Sequence, residues 1–104
     1  MSTARPPPPP APDAPLLRAL ELLAAGDWRG AHAIVQRFDE SDARAAWLHA
    51  ACHKAEGDRA NAGYWYARCA GVCGPTSRDD APAAELADIR RLLLQATPAQ
   101  QAAR

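Results

Sequence analysis

The chain has no surplus of charge of either sign: twelve lysines and arginines stand against twelve aspartates and glutamates, and the pI lies near 6.8. A balanced chain has no global field to gather phosphates or anionic lipid, which argues against nucleic acid and against a membrane surface as partners. Long apolar runs are also missing. The most apolar stretch, residues 16–25, is interrupted by Arg18 and Glu21 and is too short to cross a bilayer. The opening MSTARPPPPP has no apolar segment after its arginine, so no signal peptide is expected and a cytoplasmic location is. Cysteine is sparse. Three residues, an odd number without paired spacing, argue against a disulfide framework and fit a reducing compartment. No Ser-His-Asp order, glycine-rich phosphate loop or dinucleotide fingerprint occurs, so no particular enzyme class and no cofactor has positive support.

Proline, in contrast, is concentrated: seven of the ten lie in residues 2–15, five of them consecutive at 6–10. Such a run forms extended polyproline II backbone without ladder donors, and residues 1–15 are expected to be a disordered or semi-rigid tail. A ligand for an aromatic-lined groove is the functional alternative for it. Residues 16–96 are then expected to form a single helical domain, with a flexible C-terminus at 97–104. A domain of this size carries a net stability of only about 3 to 5 kcal/mol, so packing in a homodimer or onto a partner is a natural supplement.

The apolar periodicity predicts five helices. The first starts near Pro15 and ends at Gly26; Asp27 caps a second over residues 28–38, with Trp28, Ala31, Ile34, Val35 and Phe38 on one face and Arg29, His32 and Gln36 on the other. Ser41 or Asp42 caps a third, which Gly57 ends. Its Trp47, Leu48, Ala51, Cys52 and Ala55 form an apolar arc about 140° wide at 100° per residue. Asp58 caps a fourth, carrying Ala62, Trp65, Tyr66 and Cys69, and Gly71 with Gly74-Pro75 stops it. After a loop at 76–81, Asp80 and Pro82 open a fifth with Leu86, Ile89, Leu92 and Leu93.

Shifting the sequence by 31 residues lays Gly26-Asp27 on Gly57-Asp58, Ala31 on Ala62 and Ala19 on Ala50. A repeat of this period, helix, Gly-Asp corner, helix, is the mark of stacked helical hairpins. The expected fold is all-α: two hairpins and a C-terminal capping helix. Gly57-Asp58, Ala62, Tyr66 and Cys69 resemble the second half of a tetratricopeptide repeat, and Ala62, Trp65-Tyr66, Arg68 and Ala70 are similar to the ending of Sel1-like repeats. His49-Ala50, His53, Glu56-Gly57-Asp58, Asn61-Ala62 and Tyr64-Trp65-Tyr66 resemble a group of small uncharacterised bacterial proteins sharing HAxxHRxEGDxxNAxYWYRRA. Asp27-Trp28 and residues 31–36 fit the upstream part of that group. Lys54, Ala67 and Cys69 depart from its pattern. The resemblance implies a helical fold and attaches no activity to it.

Three residues stand out for chemistry. His49, His53 and Glu56 at i, i+4 and i+7 form a stripe, expected to face away from Trp47 and Leu48. Two nitrogens and a carboxylate can hold a divalent metal with an open position, or the stripe can be a hydrated face on which Glu56 supports His53. The zinc-peptidase HExxH arrangement is absent, because residue 50 is alanine. Asn61, Tyr64 and Arg68 form a second stripe on the fourth helix. Together the six residues compose a candidate binding surface for an anionic group or a partner's carboxylate, and an Arg68–Glu56 salt bridge clamping the hairpin is the structural alternative. Cys52 and Cys69 fall on apolar faces and are expected to be inert; Cys73 lies past the helix end. A zinc site joining Cys69 and Cys73 to the histidines is set aside, because Cys69 and the histidines point to opposite sides.

The leading functional expectation is a protein-interaction module with an unidentified protein partner. The alternatives are a metal-dependent or acid-base enzyme centred on His49, His53 and Glu56, and a helical homodimer with a structural role.

Overall fold

The computed structural model describes residues 13–73 and 82–102, and among these every regular element is an α-helix: α1 Asp13–Ala24, α2 Trp28–Val35, α3 Ala43–Glu56, α4 Arg59–Arg68 and α5 Pro82–Ala102. The tail up to residue 12, the Gly74-Pro75 stop and the loop at 76–81 lie outside the described residues.

Leu16, Ala19, Leu20 and Leu23 recur at three and four residues, and this spacing turns one stripe of α1 into the core. The helix starts at Asp13, inside the stretch assigned to the tail. Pro15 is its third residue, where a missing N–H breaks no intrahelical bond. At the other end Gly26 takes φ +90°, Gly26 N–H donates to Leu23 O and Asp27 N–H donates to Leu22 O, a left-handed cap that satisfies the last carbonyls. Asp27 then accepts from Gly30 N–H at 2.9 Å and opens α2. The second corner is built the same way: Gly57 at φ +92°, Gly57 N–H to Lys54 O, Asp58 N–H to His53 O, and Asp58 accepting from Asn61 N–H at 3.1 Å. The two Gly-Asp corners that repeat in sequence therefore repeat in hydrogen bonding.

α1 pairs with α2 and α3 with α4, while α2 also packs on α3 and α5 lies against α1 and α3. α3 thus touches all four other helices, and every residue from 45 to 52 is buried. This corrects the expected arc. A helix enclosed on all sides has no outward polar face along its middle, so His49 is 7% exposed instead of facing solvent, whereas Ala55 near the end of the helix is exposed. α2 is shorter than its pattern, because after Val35 the chain leaves the helix in turns that still pack Phe38 on the core. α5 runs past Thr97 to Ala102.

A buried carboxylate fixes α5. Glu85 is 1% exposed, in register with buried Ile89 and Leu93, and accepts from Trp47 Nε1 at 3.0 Å and Tyr66 Oη at 2.5 Å, with Lys54 Nζ 2.8 Å away. One oxygen pair thus joins α5 to both helices of the α3/α4 hairpin. Burial, then the bond and charge of Glu85, then Cys69 and Cys73, raise the proton affinity of the Tyr66 phenol and keep it a donor. No helix among the described residues is long and apolar enough to cross a membrane.

Candidate metal centre

Three imidazoles meet where α2, α3 and α4 converge. His49 and His53, one turn apart on α3, project from the same side of that helix, and His32 reaches them from α2. One ring nitrogen from each of His32, His49 and His53 lies within 4.8 Å of the others, and the Nε2 atoms of His32 and His49 are 3.0 Å apart. Two nitrogens bound at about 2.0 to 2.1 Å to one tetrahedral ion stand roughly 3.3 Å apart, so this pair already has nearly the spacing of co-ligands. Without an ion, the same spacing is a hydrogen bond between one protonated and one bare nitrogen.

Trp65 of α4 stacks flat on His49, with centroids 3.9 Å apart and planes 10° from parallel. The indole closes one side of the cluster. His53 stacks on His49 at 5.1 Å, and its Nδ1 is 3.3 Å from Glu56 Oε1. A carboxylate accepting Nδ1–H leaves the lone pair on Nε2, the arrangement that commonly orients a ligating histidine. His49 and Trp65 also wall a cleft of about 140 Å³ shared with Val35, Phe38 and Glu40.

The surroundings disfavour a proton on His49 and on His32. Burial, then His32, then His53 lower the pKa of His49 to about 4, and burial followed by His53 lowers that of His32, with Glu56 opposing. Neutral imidazole is the ligating form, so protons compete weakly for His49 at neutral pH.

Of the six residues read as one surface, the structure brings His49, His53 and Glu56 together and adds His32. The rest are engaged elsewhere. Asn61 N–H and Nδ2 both bond Asp58, whose pKa these two bonds lower. Arg68 lies 4.1 Å above the Tyr64 ring and pairs with Glu40 at 3.3 Å, in place of the expected Glu56. His53, Glu56 and Asp58 form a second group within 4.8 Å that shares His53 with the first.

His32 and Glu85 were missed by sequence reasoning, although both carried a signal. His32 sits about 60° from Val35 at 100° per residue, at the rim of the α2 apolar arc, and Glu85 is four residues from Ile89, within the α5 stripe. No family model, curated protein or solved structure matches the chain.

Proposed function

We propose that the chain is a small helical module that binds one divalent transition ion of the zinc class through His32, His49 and His53. The observation that carries this reading is the convergence of three imidazoles from two helices, with two Nε2 atoms 3.0 Å apart. Three nitrogen donors suit zinc, cobalt, nickel or copper and leave a position for water or an anion. Glu56 serves as the orienting carboxylate of His53. His49, neutral at pH 7, is better suited to ligation than to general-acid work.

Trp65 supplies the readout. Copper(II) added to chelator-treated protein is expected to quench part of the tryptophan emission at one equivalent, and Trp65→Phe to remove that part. Quenching of the same size in the Trp65→Phe chain would place the ion elsewhere.

Protein interaction is the second reading, favoured by Tyr64, which is 45% exposed with the Arg68 guanidinium on its face. Aromatic and arginine side chains are common interface anchors. A partner captured by the full chain and lost with Tyr64→Ala, at unchanged Tm, supports it; capture unaffected by Tyr64→Ala removes it.

A further inference from the structure

The second set of reactive side chains lies at the far end of α4. Cys69 is fully buried at the C-cap, and Cys73 is half-buried one turn later. Cys73 N–H donates to Cys69 O at 2.9 Å, which folds the chain back so that the two Sγ atoms stand 3.1 Å apart. A disulfide needs about 2.05 Å, so closure requires a movement of roughly 1 Å. Cys69, at φ −114° and ψ 19°, has already left helical geometry, and a turn of this kind yields more readily than a helix interior.

We infer that Cys69 and Cys73 form a dithiol that low-molecular-weight disulfides oxidise to an intramolecular bond, with Cys73 as the entry thiol and Cys69 as the resolving one. The order follows from access. Cys73 thiolate attacks one sulfur of the oxidant RSSR, forming Cys73–S–S–R and releasing RS⁻. Cys69 gives its proton to a released thiolate and attacks Cys73 Sγ, forming the Cys69–Cys73 bond and expelling the second RS⁻. The second RS⁻ takes up the proton that Cys73 gave to water on ionising; two electrons pass to the oxidant, and the products are one protein disulfide and two RSH. Burial and the adjoining Cys73 sulfur raise the proton affinity of the Cys69 thiol, so resolution is the slower step. The third thiol, Cys52, is sealed in α3 with its pKa pushed up to about 12 by burial and then by Glu56, and it stays outside the reaction.

The test uses the full chain with oxidised glutathione, acid quenching, alkylation of the unfolded chain in denaturant, and tryptic digestion. Cleavage after Arg68 and Arg78 leaves Cys69 and Cys73 in one peptide, while Cys52 falls in the peptide ending at Lys54. The expected result is a transient glutathione adduct on Cys73, then a loss of about 2 Da from the shared peptide, with Cys52 alkylated throughout. Cys69→Ser should trap the adduct on Cys73, and Cys73→Ser should leave both remaining thiols reduced. A stable adduct on Cys73 of the wild-type chain, a disulfide containing Cys52, or three alkylatable thiols after a control dithiol has oxidised would overturn it. If Cys69→Ser fails to fold by circular dichroism, the wild-type and Cys73→Ser digests decide.

Discussion

An imidazole held against an indole and two further imidazoles resists taking a proton, and that resistance has a thermodynamic sign. The unfolded chain protonates His49 near pH 6.5, while the folded chain holds it to about 4. Between those values the unfolded state binds more protons. Metal-free protein should therefore keep this contribution above pH 6.5, lose it as the pH falls towards 4, and lose no more below that. Allowing for partial solvent access, the loss is on the order of 1 to 2 kcal/mol. Urea midpoints measured across this window, with chelator present, should fall less steeply for His49→Gln than for the wild type; parallel slopes would mean that His49 titrates normally. The position of His49 was legible in part. At 100° per residue it lies about 40° from Ala45 and 60° from Cys52, both buried, and only the assumption of one apolar face turned it outward. His32 was harder to read, because its role depends on which helix packs beside α2, and no periodicity within α2 contains that.

At the scale of elements, local chemistry was the most readable layer. Glycine followed by aspartate ends one helix and caps the next, and both corners form as the sequence implies, since only glycine takes φ near +90° cheaply. Nothing lies within 4 Å of a Cβ built on Gly57, so Gly57→Ala should cost only the backbone penalty, about 1 kcal/mol, seen as a lower urea midpoint with an unchanged slope. The docking of α5 was not readable, because a carboxylate inside an apolar stripe has meaning only once Trp47, Tyr66 and Lys54 are known to face it. Replacing Glu85 with leucine takes the acceptor from two buried donors and the countercharge from Lys54. A loss of about 3 kcal/mol is expected, against about 1 for Glu85→Gln, which keeps an acceptor. Equal, small losses in both variants would show that α5 is held by Ile89 and Leu93 alone.

For the molecule as a whole, the proposed centre would couple folding to the ion. The ligands come from α2 and α3, and Trp65 of α4 backs them, so an ion bound only by the folded chain stabilises three helices together. At a hundredfold excess over its dissociation constant, zinc should add about 2.7 kcal/mol, or roughly 11 to 22 °C in Tm. His53 also belongs to the group with Glu56 and Asp58, so its removal cannot distinguish the two ligand sets, whereas His32 belongs to the three-imidazole set alone. The decisive measurement is calorimetric titration of zinc into the chelator-treated full chain and into its His32→Asn variant at pH 7.5. One equivalent bound by the wild type, with affinity reduced tenfold or more in the variant, is the predicted result; no binding, or equal binding by both, would contradict a three-imidazole centre.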